Sequence, residues 1–102
     1  MASVASRAQP ARVKLGEVCT LREAAALQSQ LVAAVSPTDE VLVDGAAVSR
    51  IDAAALQLLV AFARREQAAG RRIVWQQPSA ALVESSARLG LQQVLGIDGG
   101  SP

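Results

Sequence analysis

The sequence predicts an α/β fold, a small mixed sheet with helices packed mainly on one face. Two short runs, Val41-Leu42-Val43 and Ile73-Val74-Trp75, are apolar, rich in β-branched residues and bounded by polar ones, as strands are. Longer segments with apolar residues at helical spacing precede and follow them, so strand and helix alternate along the chain. Cap and turn residues punctuate that alternation at Ser36-Pro37, Asp52, Gly70, Pro78-Ser79 and Gly90. Crossovers of this kind favour a mainly parallel sheet. The 102 residues suit one compact domain.

Residues 1–11 are Ala, Ser, Arg, Gln and Pro without an apolar run. They make no secretory signal and read as a flexible N-terminal tail. The domain is expected over residues 12–97, with a flexible end at 98–102. Val13 to Leu15 alternates weakly, as a short strand would, with Val18 its furthest extension. Thr20-Leu21-Arg22-Glu23 has the capping-box pattern, in which the Glu side chain reaches back to the Thr amide. It opens a helix expected to run to about Val35. Leu21, Ala24, Ala25, Gln28, Leu31, Val32 and Val35 sit at helical spacing, with Leu27 beside them. Ser36 to Asp39 stops it.

Glu40 to Asp44 is the next strand. Its uninterrupted apolar centre reads as burial on both faces. Gly45 to Ile51 is a loop, and Asp52 caps a second helix ending near Ala69. Gly70 stands where a left-handed C-cap is usual. Arg71 to Gln76 is a strand, and Ser79 caps a third helix that Gly90 closes after about Leu89. Leu91 to Ile97 is a short terminal element whose type the pattern does not decide.

Composition excludes several functions. Hydrophobic residues make up 51% but aromatics only 2%, so the core must be built from Ala, Leu, Val and Ile, with helices in close approach. A net charge of +1 gives no field that steers the chain to nucleic acid or anionic lipid. The most apolar segment, Ala53 to Ala63, is interrupted by Gln57 and is far shorter than the roughly 20 residues of a membrane helix. Cys19 has no partner for a disulfide, which favours a reducing compartment. The chain has no histidine, the commonest general base and a frequent metal ligand. Gly45-Ala46-Ala47 is too short for a phosphate loop and lacks its Lys. These features point to a cytoplasmic, non-catalytic domain without cofactor or metal.

Three pieces of sequence in a fixed order give a resemblance. Val41-Leu42-Val43-Asp44 is followed by Ile51-Asp52, then by the apolar helix Leu56-Gln57-Leu58-Leu59-Val60, and late in the chain by Ala87-Arg88-Leu89-Gly90-Leu91. Together they resemble STAS domains, bacterial modules related to the anti-sigma factor antagonists. The resemblance spans roughly Val13 to Ile97. It implies a protein-protein interaction module that contacts partners through the start of the helix after the Asp and the loop before it. In the family pattern that Asp is followed by a Ser or Thr, a small residue and a Gly. The hydroxyl is phosphorylated by a partner kinase, at a helix start where amides and dipole stabilise the phosphate. Here Ala53, Ala54 and Ala55 follow Asp52. Ala53 occupies the acceptor position without a hydroxyl, so the implied module lacks its phosphate switch.

The resemblance implies partner contact at Ser49, Asp52, Ala53, Ala54 and Gln57. The implied partner is a kinase, an anti-sigma factor or a chemosensory component, bound to regulate or scaffold a signalling assembly. Two alternatives stay open: the STAS subunit of a phospholipid-transporting ABC system, bound to its ATPase, and a nucleotide- or lipid-binding domain. Plain readings stand beside these. Asp52 is explained by helix capping alone. Ser49, the nearest hydroxyl, reads as a solvated loop residue, with a displaced phosphoacceptor as the sharper option. Asp44 reads as a loop-capping carboxylate, Trp75 as core with its indole N–H on one acceptor, and Cys19 as a small apolar residue. Arg64, Arg65, Arg71 and Arg72 read as a solvated helix end whose cations face the negative dipole terminus.

Overall fold

The computed structural model describes residues 9–97. Five strands run in the order β1 (Ala11–Lys14), β2 (Val18–Cys19), β3 (Glu40–Asp44), β4 (Arg50–Ile51) and β5 (Arg72–Gln76). A 3-10 turn, Leu21–Glu23, leads into helix α1 (Ala24–Ala33), and α2 (Ala53–Ala68), α3 (Ala80–Arg88) and the short α4 (Gln92–Leu95) follow. The α/β class is borne out. The sheet orders β1-β3-β5, and a second two-stranded ribbon pairs β2 with β4. All three pairings are parallel, so among the described strands the sheet is parallel beyond the mixed arrangement expected.

Several boundaries differ from the sequence reading. β1 starts at Ala11, whose amide donates to the buried Ser36 hydroxyl at 3.1 Å. It stops short of Val18, which belongs with Cys19 to β2 instead. Arg50 and Ile51, expected in a loop, form β4 against β2. The terminal element is helical, with Gly96 left-handed at its end. Of the tail expected at residues 1–11, Ala11 belongs to β1, while residues 1–8 and the end expected at 98–102 lie outside the described residues.

Val41 and Val43 are fully buried, whereas Glu40, Leu42 and Asp44 are only half-buried. The expected burial of β3 on both faces is therefore corrected. Its apolar centre alternates, with one face under the helices and the other partly open. In register, Val41 lies beside Ala11 and Ile73, and Val43 beside Val13 and Trp75, so the inner face is one apolar layer. Leu56, Leu59, Val60 and Ala63 of α2 pack into the same core as Val13, Val41 and Val43. Without large aromatics, tight contact does the packing: Ala55 and Ala63 are fully buried. Trp75 donates its indole N–H to the Leu95 carbonyl at 2.8 Å and so ties β5 to α4.

α1 is rotated relative to the expected stripe. Leu27 and Leu31 face the core, while Leu21, Val32 and Val35 are 71%, 61% and 71% exposed. α1 and α2 run side by side with their starts together. The Leu21 amide reaches Asp52 at one end, and Arg65 reaches the Leu31 and Ala34 carbonyls at the other.

The arginines near Gly70 are not simply solvated, which corrects that reading. Glu66, fully buried, accepts from Arg65 Nε at 2.8 Å and from Arg71 Nε at 2.6 Å. Burial alone would push the Glu66 carboxyl up, but the hydrogen bonds and charges of Arg71 and Arg65 hold it below its ordinary value. Arg65 also lies over the Phe62 ring, 5.2 Å from its centroid, and Arg72 pairs with Glu40 across the strands. Gly70 is left-handed at φ +80°, as its place after α2 requires.

Candidate functional site

The β3–β4 loop and the start of α2 stand at the carboxyl end of the parallel strands. Asp44 ends β3 and its carboxylate accepts from the Ala46 amide at 3.0 Å, the loop-capping role expected of it. Gly45 follows because there is no room for a side chain. A Cβ there would stand 2.7 Å from Leu82 Cδ2 and 3.5 Å from Trp75 Cζ3. Its carbonyl accepts from the amides of Val48 and Ser79, which closes the loop and anchors the start of α3. Ser79 caps α3 by accepting from the Leu82 amide at 3.1 Å.

Ser49 is exposed and tied to the neighbouring β1–β2 loop. Its amide and hydroxyl both donate to the Glu17 carbonyl, at 2.9 and 3.1 Å. Asp52 does more than cap its own helix. Oδ1 accepts from the Ala55 amide at 3.1 Å, while Oδ2 accepts from the Leu21 amide at 2.8 Å. One carboxylate thus joins the start of α2 to the start of the 3-10 turn. These amides, Ala55 first and Leu21 second, hold the Asp52 carboxyl below its ordinary value. Thr20 and Glu23 secure the same corner, with the Thr20 amide donating to the Glu23 carboxylate at 3.0 Å.

Beyond Asp52 the surface is small and neutral. Ala53 and Gln57 are exposed and Ala54 is half-buried, so these three sequence-predicted residues share the outer side of the first turns of α2. Sequence reasoning missed what flanks them. Leu21 projects on one side. On the other, an open cleft of about 210 Å³ separates α2 from the end of α3, lined by Ile51, Asp52, Ala53, Leu56, Ser85, Arg88 and Leu89. Leu89 is 47% exposed. The signal for Leu21 was present in the chain as an apolar residue inside a capping box. A Leu at that position of an isolated helix reads as core, and only the bond between its amide and Asp52 places it at the tip.

The chemistry of this surface is contact chemistry. Ala53 leaves a shallow, uncharged platform over the first amides of α2, between two exposed leucines and beside the amide of Gln57. Cys19, the sulfur nearest the corner, is buried, and desolvation first, then the Glu23 charge, push its thiol up, which keeps it in the unreactive form. Among the described residues no three His, Cys, Asp or Glu side chains converge as a metal site would require. Among them, too, no helix is long and apolar enough to cross a membrane.

The family model described as "Mlab, STAS domain" matches residues 2–96. A search of curated proteins gives no match. Among solved structures, the chain is similar to the crystal structure of a sulfate transporter family protein from Wolinella succinogenes. The TM-score is 0.70 at 19% identity, covering 84% of this chain and 70% of that one. At that identity the likeness is one of fold. The order of strands and helices, the Asp-capped α2 and the match over nearly the whole length agree, and the chain belongs to the STAS domain family.

Proposed function

We propose that the protein is a non-catalytic STAS interaction module that regulates or scaffolds a bacterial signalling assembly. It binds its partner through the start of α2, without a phosphate switch. STAS domains are generally protein-interaction modules. The observation that carries the reading is the tip itself: a rigid corner held by Asp52, with Ala53 and Gln57 exposed on it and Leu21 and Leu89 at its flanks. Ala53 has no hydroxyl to modify, so binding is constitutive or follows the state of the partner. The partner class is a kinase, an anti-sigma factor or a chemosensory component.

A second reading is favoured by one observation. The matching family model is described as "Mlab, STAS domain", which supports service as the STAS subunit of a phospholipid-transporting ABC system, bound to its ATPase. Affinity capture from the native cells separates the two, because the partner recovered is a signalling component or an ATPase. Ala53→Glu puts a bulky anion where a family phosphate would sit and leaves the helix intact. The variant is expected to lose the partner that the wild type retains; equal capture by both would place the interface elsewhere.

A further inference from the structure

The layer formed by α1 and α2 carries a second surface, separate from the tip. Between the two helices runs a groove of about 130 Å³. Leu31 and Phe62 make its floor, Val32, Leu58 and Ala61 its walls, and Arg65 closes one end. The volume is well under the roughly 300–1,000 Å³ of small-molecule sites, so it suits an inserted side chain and not a cofactor.

α1 is unusual for a helix at the surface. Ala25, Ala26, Gln28, Ser29, Gln30, Val32 and Ala33 are all exposed, yet none of the ten residues Ala24–Ala33 is charged. An uncovered helix ordinarily presents charge to water. Here Val32 is 61% exposed, and Val35, 71% exposed, stands beyond its C-terminal end.

Charge decides what covers it. Exposed cations flank the layer at Arg22 and Arg64, while Arg65 is paired with Glu66. The acidic groups of the 3-10 turn, α1 and α2 are Glu23 and Glu66. Glu23 is engaged with Thr20, and Glu66 is fully buried between Arg65 and Arg71. A second copy of this face would add its own Arg22 and Arg64 and, beside them, only the Thr20-engaged Glu23. A partner bearing carboxylates would meet the arginines favourably.

We infer that the α1–α2 groove docks an amphipathic helix of a partner protein, its apolar stripe seated over Val32, Leu58 and Ala61 and its carboxylates set against Arg22 and Arg64. The ten residues of α1 span about 15 Å at 1.5 Å per residue, long enough to seat a two-turn partner stripe with anchors at i, i+3, i+4 and i+7, which covers about 10.5 Å.

The test is a selection on the full chain. Displayed helical peptides of about 15 residues carry apolar anchors at those positions, with acidic and basic residues randomised beside them. The selected helices are expected to be acidic. They should bind at least about tenfold more weakly to Val32→Glu and to Ala61→Glu, and more weakly still as salt rises. Both substituted positions are exposed, and thermal melts confirm that the variants fold. Arg64→Glu should turn the preference towards basic helices. Arg12→Glu, on the open face of the sheet, makes the same charge change as Arg64→Glu and should leave the binding unchanged, which separates this groove from net charge. No enrichment, basic winners on the wild-type chain, or equal binding to Val32→Glu would overturn the inference. So would a wild-type dimer in sedimentation that Val32→Glu dissolves, because a second copy would then fill the groove.

Discussion

Glu66→Gln tests how the helical layer is fastened to the sheet. The substitution keeps the side-chain shape and removes the charge from a carboxylate that is 0% exposed and accepts from Arg65 and Arg71. A hydrogen bond to a charged group contributes roughly 1.5–3 kcal/mol. Breaking a fully buried pair costs about 3–5 kcal/mol. Both arginines reach solvent, at 42% and 24% exposure, so water recovers part of the loss, and the Gln carbonyl retains one acceptor. The expected net loss is about 2 kcal/mol, a fall in melting temperature of roughly 10 °C for a domain of this size. Arg65 also holds the Leu31 and Ala34 carbonyls, so the end of α1 should lose amide protection first. Urea denaturation gives the magnitude and its pH dependence gives the sign. The folded-state value of Glu66 is depressed, so its contribution is complete above the unfolded Glu value of about 4.3 and is lost as pH falls below it, through the folded value. The gap between wild type and variant should therefore close in acid. A change below about 0.5 kcal/mol at pH 7, or a gap that widens in acid, would mean that the Glu66 carboxylate does not fasten the layer.

Other outcomes follow from the same geometry. Asp52→Ala should lower the melting temperature and raise amide exchange at both Ala55 and Leu21. Asp52→Asn should fall between Ala and wild type, because its amide nitrogen cannot accept the second bond. Asp52 is likewise depressed, so its stabilisation is present above the unfolded Asp value of about 3.9 and disappears below it, a component that Asp52→Asn should lack. Gly45→Ala should cost about 1–3 kcal/mol through its collision with Leu82. Combined with Leu82→Ala, the loss should be less than additive, as a double-mutant cycle by chemical denaturation would show. Intact-mass analysis of protein from native cells should show no phosphoform, and a phosphopeptide containing Ser49 would overturn that expectation.

Local signals in the chain were enough to place most of the fold. Ser79, Gly70, Gly90 and Asp52 as cap of α2 act within a few residues of themselves, and each does in the structure what its type and position suggest. Trp75 needed an acceptor for its indole and has one. What stayed hidden depends on distant partners. Arg50-Ile51 has no strand pattern of its own and becomes one only beside β2. In Ala-rich α1 the expected stripe runs through Leu21, Leu31 and Val32 with Leu27 beside it, and packing against α2 buries Leu27 and Leu31 and leaves Leu21 and Val32 outside. Glu66 is a polar residue in a solvent-like run of Arg64-Arg65-Glu66-Gln67, and only the return of the chain at Arg71 buries it. Of the candidate site, Asp52, Ala53, Ala54 and Gln57 come together at one corner with Ser49 on the adjoining loop. Leu21 and Leu89 join them through tertiary contact alone.

Partners are proposed to meet the start of α2. The most direct measurement places a photo-crosslinking side chain at Gln57, or at Arg12 on the opposite, outer face of the sheet, in chains expressed in the native cells. Both positions are exposed, so neither substitution disturbs the core. A crosslinked partner is expected from position 57 that disappears with Ala53→Glu, and none from position 12. A partner captured from position 12 and not from position 57 would contradict an interface at the start of α2.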